Sequence, residues 1–283
     1  MHLTTQPLLD LAALEAVLPE LAERYAGGRP YPHIVLDDVL EAGTLARVYE
    51  EFATIPDDAW TNYLHLNERK YGNTRLDTWG PTMRAVAEAF ASERFVAFLS
   101  TLTGIEGLRA DDVMDGGGLH RSMAGGFLNV HSDFNAHHSK PRWRRRVNLL
   151  LYLNPEWRPE WGGELQLWSK DMKGCVSQIE PIGNRILAFN TDQDSLHGHP
   201  EALRFPEGVA RQSLALYYFT EEDVHHPRST NYRARPGDGF RGAFIHLDTR
   251  ALELYDILKR RLRLTDGRVS QALGALSRAR RRH

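Results

Sequence analysis

From about residue 111 onward the chain breaks into short β-rich runs separated by Gly, Pro and Asn, with no long helical pattern between them. The runs are 127–131, 147–153, 164–168, 185–189 and 212–220. Parallel pairing would need crossover segments of a dozen or more residues between strands, usually helical. Their absence argues for an antiparallel sandwich or jelly roll rather than a βαβ sheet. The expected fold class is therefore an all-β core with flanking helices.

The flanks read differently. Leu8, Leu11, Leu14, Leu18 and Leu21 recur at three- and four-residue steps, which predicts one amphipathic helix that Gly27-Gly28 stops. A short strand follows at 32–36, ended by Asp37-Asp38, and a second helix covers 44–52. A third helix starts at Pro81, a favoured first-turn residue, carries Met83, Val86, Phe90, Phe95 and Leu99, and stops at Gly104. Helical spacing returns in 249–283 through Leu252, Leu258 and Leu262. The Arg-rich end there (Arg278, Arg280, Arg281, Arg282) suits the negative pole of an exposed helix. The expected organisation is one domain over 1–283: mainly helical support in 1–110, the β core in 111–220, and an extension with a helix in 221–283.

Net charge is only -2, so nothing pulls the whole chain toward nucleic acid or a membrane surface. A single cysteine, Cys175, rules out an internal disulfide framework and fits a reducing compartment; it reads as a partly buried strand-edge residue. No basic region followed by an apolar stretch opens the sequence, and no apolar run approaches the roughly 20 residues that span a bilayer. A cytoplasmic protein is the expectation.

Chemistry concentrates in His131-Ser132-Asp133, Ser195-Leu196-His197-Gly198-His199-Pro200 and Arg211-Gln212-Ser213. Two imidazoles and one carboxylate can hold Fe(II) on one face and leave its other positions open. His131 and Asp133 supply two ligands. His197 and His199 are both candidates for the third; Gly198-His199-Pro200 resembles an exit turn, which favours His197 and makes His199 a pocket residue. Strict strand alternation puts Phe127, Asn129 and His131 on one face, so Asn129 is expected to line the same cavity. Arg211 beyond the second His suits an acidic co-substrate held by paired charge-assisted hydrogen bonds.

The run from Gly116 to Thr220 resembles the catalytic core of the prolyl 4-hydroxylase-like group within the 2-oxoglutarate- and Fe(II)-dependent dioxygenases. The matching text includes Gly116-Gly117-Gly118-Leu119-His120, Gly126-Phe127-Leu128-Asn129-Val130-His131-Ser132-Asp133 and Arg146-Val147-Asn148-Leu149-Leu150-Leu151-Tyr152-Leu153-Asn154. It continues with Trp161-Gly162-Gly163-Glu164-Leu165-Gln166-Leu167-Trp168, Leu196-His197-Gly198-His199-Pro200 and Arg211-Gln212-Ser213-Leu214-Ala215-Leu216-Tyr217-Tyr218. The resemblance implies a double-stranded β-helix, iron on His131, Asp133 and His197, and the distal carboxylate of 2-oxoglutarate on Arg211 and Ser213. It also implies O₂ as co-substrate, ascorbate as a stimulant, release of succinate and CO₂, and hydroxylation of an unactivated C–H. No catalytic group beyond the metal ligands is expected. Related halogenases replace the carboxylate, so Asp133 implies oxygenation and not chlorination. One departure is the segment 201–207, which lengthens the connection between His197 and Arg211.

The loop 137–146 follows Asp133, and Lys140, Arg142, Arg144 and Arg145 are expected to grip an anionic substrate there, with the Trp143 ring as an apolar wall. Tyr217, Tyr218 and Phe219 read as core, Trp157 and Trp161 as packing for a turn, and His225-His226 as a surface pair. The expected substrate is a small or amino-acid-like molecule. Hydroxylation of a protein prolyl residue and a non-catalytic jelly-roll binding protein are the alternatives, and the oligomeric state is not legible.

Overall fold

The computed structural model describes residues 8–223 and 227–239, together with 242 and 245. The helix expected in 249–283 and the His225-His226 pair lie outside the described residues. Five helices are described: α1 (Leu11–Ala16), α2 (Leu18–Gly27), α3 (Ala42–Ala53), α4 (Pro81–Ala91) and α5 (Glu93–Thr103). The strands are β1 (His33–Leu36), β2 (Thr61–His65), β3 (Glu68–Asn73), β4 (Arg109–Ala110), β5 (Gly118–Ser122), β6 (Phe127–Ser132) and β7 (Trp143–Tyr152). They continue with β8 (Leu165–Trp168), β9 (Cys175–Ile179), β10 (Ile186–Asn190), β11 (Leu196–His199), β12 (Arg211–Glu221) and β13 (Asn231–Tyr232).

Two of the expected helices are each divided, for local reasons. The first breaks at Val17, because Pro19 at the second position of α2 lacks the N–H that a continuous helix would use. The third breaks at Ser92, whose hydroxyl accepts from the Phe95 amide at 3.3 Å and so caps the start of α5. Gly104 ends α5 in the left-handed region at φ 69°, as its position predicted.

All strand pairings are antiparallel, in the order β1-β10-β7-β12-β5-β3-β6-β11-β8-β9. The sheet wraps into a double-stranded β-helix. One half is β1-β10-β7-β12-β5, and the other is β6-β11-β8-β9. On β7 and β12 the alternation is clean over most of their length. Val147, Leu149, Leu151, Leu214, Leu216 and Tyr218 pack outward against the helices, and Leu187, Phe189 and Tyr152 pack inward with Leu165 and Leu167. The helices therefore bury the outer face of one half and leave the inner face to the site.

The N-terminal third is less purely helical than its sequence suggests. The β2–β3 hairpin joins the two halves: β3 pairs with β5 through Tyr71–Asn73 and then with β6 through Glu68 and Arg69. Its sequence shows no apolar alternation, because the face carrying Tyr63, His65, Glu68 and Lys70 looks into a polar cavity. Hydrophobic period, the usual strand signal, is lost when the inward face is itself polar. Among the described residues, no helix is long and apolar enough to cross a membrane.

Candidate active site

β6 and β11 pair so that His197 stands opposite His131. His131 Nδ1 donates to the Asn129 carbonyl at 2.9 Å, and His197 Nδ1 donates to the Ser195 carbonyl at 3.0 Å. Each backbone acceptor fixes the tautomer, leaving both Nε2 lone pairs free to face a metal. The Nε2 atoms lie 3.5 and 3.4 Å from Asp133 Oδ1 and Oδ2 respectively, and the three ligand atoms fall within 4.8 Å of one another. Two neutral-tautomer imidazoles and a carboxylate, buried and convergent, fit Fe(II).

Asp133 is held from behind. Asn148 Nδ2 donates to its Oδ2 at 2.7 Å and Arg145 Nη2 at 3.1 Å. Burial pushes its carboxyl upward, but the charges of Arg145 and His197 and the hydrogen bond to His131 outweigh burial and hold it well below the usual range. The ligand is thus an anion before any metal arrives. His197 is lowered to about 4, chiefly by burial, which leaves it deprotonated for ligation at neutral pH.

His199, the other candidate, does not join the triad. It is buried with Nδ1 unpartnered and lines a deep cavity of about 70 Å³ with Arg211, Ser213 and Tyr217 beside the triad. Burial and the neighbouring Arg211 charge keep its pKa well below the ordinary value. Arg211 Nε donates to the Gly163 carbonyl at 2.8 Å and Nη2 to the Tyr152 hydroxyl at 3.3 Å. Among the described residues no salt bridge satisfies this buried guanidinium. A buried cation that faces a cavity without a carboxylate partner suits an acidic ligand there. The 201–207 segment leaves Arg211 in place. Leu203 and Phe205 pack on Trp161 and Trp157, and the Leu203 backbone pairs with Gly125 and Gly126.

Two β-bulges overturn parts of the alternation argument. Between His197 and His199 the β6 partner jumps from His131 to Leu128, so β6 carries an extra residue. The face carrying His131 then continues through Leu128, which lines both cavities. Asn129 points elsewhere, and its Nδ2 donates to Asn67 Oδ1 at 3.0 Å. On β7 the partner of Tyr218 is Val147 but that of Phe219 is Arg145, a second bulge at Arg146. It turns Arg145 inward.

Lys140, Arg142, Trp143 and Arg144 consequently stay off the cavity wall, and Lys140 pairs with Asp112 instead. Arg142 pairs with Asp223 at 3.5 Å, Arg144 with Glu222 at 3.2 Å, and Trp143 packs against Phe219 and His137. Tyr218 and Phe219 are core, but Tyr217 faces both cavities, with Arg145 Cζ stacked 3.3 Å above its ring.

An outer cavity of about 210 Å³ opens from the triad. Its walls include Lys70, Glu68, His138, Arg145 and Tyr232, of which the sequence pattern marks Arg145 alone, as one of the loop cations. Glu68 and Lys70 pair at 3.0 Å across this wall. The sequence offers Arg145 as one of four loop cations, and parity alone does not select it from the others. His138 and the 68–70 stretch stand out as polar residues in segments too short to be exposed helix faces.

Residues 117–219 match the family model of the 2OG-Fe(II) oxygenase superfamily. No curated protein matches the chain by sequence. Among solved structures, the chain is similar in fold to a prolyl hydroxylase from Trichoplax adhaerens, in complex with a hypoxia inducible factor oxygen degradation domain peptide. That match has TM-score 0.56 and 17% identity, covering 77% of this chain and 95% of that one. A prolyl-4-hydroxylase from Pseudomonas putida gives TM-score 0.50 at 14% identity, covering 71% and 98%. A prolyl 4-hydroxylase from Phytophthora capsici gives 0.52 at 21% identity, covering 91% and 78%. Over residues 117–219 the chain carries a 2OG-Fe(II) oxygenase domain, and the protein is a 2-oxoglutarate-dependent non-haem iron dioxygenase with a prolyl 4-hydroxylase-like fold.

Proposed function

We propose that the protein hydroxylates an unactivated C–H of a small polar molecule, within the broad class that includes amino-acid-like substrates, and that 1–283 acts as one oxygenase domain. The observation that carries this reading is the outer cavity: about 210 Å³, bordered by the triad and walled largely by charged and hydrogen-bonding side chains. Such a space suits a compact polar molecule better than an extended chain, which needs a groove or an open sheet edge.

In this reading His131, Asp133 and His197 hold Fe(II). Bound Fe(II), 2-oxoglutarate and O₂ supply oxidative decarboxylation to succinate and CO₂ and the oxygen atom for the product. Arg211 and Ser213, both inward-facing on β12, bind the distal carboxylate, and Tyr152 fixes the guanidinium plane through its hydroxyl. Asn148 and Arg145 hold Asp133 as a ligand. Phe134 and Leu128 supply the apolar part of the substrate wall near the triad and exclude water there. Retention of Asp133 favours oxygenation over chlorination.

The test is a metabolite screen by mass shift of one oxygen, with Fe(II), 2-oxoglutarate and ascorbate, scoring succinate in parallel. A small polar compound that gains one oxygen with equal succinate supports the reading. Oxygen transfer to a proline-containing peptide, with no small molecule turned over, would replace it with the protein-hydroxylase alternative.

A further inference from the structure

Lys70 lines both the outer cavity and the deep one that holds Arg211. Its ammonium is placed there by neighbours on the same hairpin. Nζ pairs with Glu68 Oε2 at 3.0 Å and lies 5.5 Å from the centre of the Tyr63 ring. Tyr63 stands opposite Lys70 in the β2–β3 register, and its ring leans over Gly72, where a Cβ would come within 2.9 Å of it. Glu68 is braced in turn by His65, whose Nε2 lies 2.8 Å from Oε1. The pair is not sealed off: 18% of the Lys70 side chain and 9% of that of Glu68 stay accessible at the wall.

A pair this deep is weak evidence for stability, so its position on a cavity wall calls for another reason. An ammonium carries three N–H groups. Among the described residues Glu68 is the one acceptor for Lys70, which leaves two of its donors for a ligand. Burial opposes charge on both partners, and their mutual attraction outweighs it. Glu68 is held below the ordinary carboxylate range and Lys70 above the ordinary amine value, so both are ionised at neutral pH.

The charges around the ligand space do not cancel. Among the described residues lining the two cavities, Glu68 and Asp133 face Lys70, Arg145 and Arg211. One positive charge is in excess, and any protonated imidazole on the walls only enlarges it. Bound Fe(II) and dianionic 2-oxoglutarate carry equal and opposite charges, so the excess persists in the loaded site. In a space shielded from solvent it attracts a monoanion, repels a cation and offers a neutral molecule hydrogen bonds alone. Arg211 is committed to the distal carboxylate of 2-oxoglutarate. Arg145 is 1% exposed and turned to Asn148 and Asp133. Lys70 is therefore the cation within reach of a ligand in the outer cavity.

The geometry points to Lys70 as the carboxylate-binding residue of the outer cavity, and to a substrate that is a small monocarboxylic acid anchored through that group beside the triad. This rests on the outer cavity being the substrate site, and it narrows the small polar molecule to an acid.

For the experiment, the full chain is loaded with Zn(II) and saturating 2-oxoglutarate, which prevents turnover and fills the Arg211 site. Saturation-transfer NMR then compares butyrate, butyramide and butylammonium, which share a carbon chain and differ in the charge of the head group. Butyrate should bind at least about 10-fold more tightly than butyramide, the margin of a charged hydrogen bond, and butylammonium should receive no saturation. Lys70→Met should erase the difference between butyrate and butyramide. The Kd of that variant for 2-oxoglutarate, by titration calorimetry, should stay within about two-fold of the parent value. In the double variant Glu68→Gln, Lys70→Glu the accessible head group becomes a carboxylate, so butylammonium should gain saturation and butyrate lose it. A misfolded variant loses signals but cannot exchange one for the other.

No transfer to butyrate, equal binding of butyrate and butyramide, binding of butylammonium by the parent chain, or a preference that survives Lys70→Met would each overturn the proposal. So would a loss of about 10-fold or more in 2-oxoglutarate affinity in Lys70→Met, which would assign the ammonium to the co-substrate. Oxygen transfer with Fe(II) is read separately. If only a proline-containing peptide is oxidised while the butyrate preference stands and depends on Lys70, the functional reading fails and the carboxylate site survives. If an uncharged small molecule is hydroxylated and butyrate shows no preference, the carboxylate site alone is removed.

Discussion

Arg145 Nη2 stands 3.1 Å from Asp133 Oδ2, inside a wall where Arg145 itself is 1% exposed. An ion pair this deep is weak evidence for net stability, yet removing one partner leaves an uncompensated buried charge and costs about 3–5 kcal/mol. Here a metal ion is the alternative counter-charge. Arg145→Met should therefore lower the urea midpoint sharply in chelator-treated protein and much less when Fe(II) or Zn(II) is present. Equal losses with and without metal would show that Asp133 does not face the ion.

For 2-oxoglutarate, the decisive residue is Arg211. Arg211→Ala removes charged hydrogen bonds worth about 1.5–3 kcal/mol, or roughly 10- to 150-fold in affinity. The KM for 2-oxoglutarate should rise by that factor while metal binding persists. His197→Ala should instead abolish metal binding, and His199→Ala should spare it. Iron binding that survives loss of His197 but not of His199 would transfer the ligand role.

Gly198 sits where β11 crosses the β6 bulge, and a Cβ there would lie 2.7 Å from the Leu128 carbonyl and 2.8 Å from that of Asn129. Both atoms are backbone, so the strands must separate. Gly198→Ala should cost about 1–3 kcal/mol through overpacking and weaken metal binding by roughly 10-fold or more, since His131 and His197 ride on the two strands. Calorimetric metal titration checks this, and unchanged affinity would contradict it.

Arg142 and Arg144 form solvent-exposed pairs with Asp223 and Glu222, 67% and 41% exposed respectively, a class of interaction worth about 0–1 kcal/mol. Neutralising both should change the substrate KM by less than about two-fold. A ten-fold rise would return these side chains to the substrate site.

The cavity histidines set the acid limit. Burial lowers His120 to about 3 and His197 to about 4, against an ordinary value of 6.5, and His199 lies well below it too. Each binds protons more readily unfolded than folded, so its contribution to stability is complete above about pH 6.5. That contribution is lost as pH falls toward 4 and then 3, to the extent of a few kcal/mol. Asp133, depressed in the fold, acts in the same direction. Urea midpoints of chelator-treated protein should drop steadily from pH 7 to pH 4. A flat profile would mean these imidazoles are solvated.

The strands of the core were legible because β7, β10 and β12 bury apolar residues against helices on one face and keep a fixed period. The triad was legible because His-x-Asp and a distal His are tied to strand ends, where little else constrains them. What escaped were positions set by broken periods. One extra residue in β6 sends Asn129 to Asn67 and brings Leu128 to the site. One at Arg146 decides which of the four loop cations offered by the sequence, Arg145, turns inward. The β2–β3 hairpin escaped for a different reason: polar residues on a strand face ordinarily signify solvent, and only the closed sheet reveals that Glu68 and Lys70 look inward.

That hairpin is stitched to both halves of the barrel, with β3 bonded along one edge to β5 and β6 and covered on the other by β2. A surface loop can lengthen or shorten freely; this wall cannot, because any inserted residue would shift the ladder that aligns β6 and its histidine. Divergence toward new substrates in such proteins is therefore channelled into exchanging side chains at fixed backbone positions, with Tyr63, His65, Glu68 and Lys70 as the alphabet.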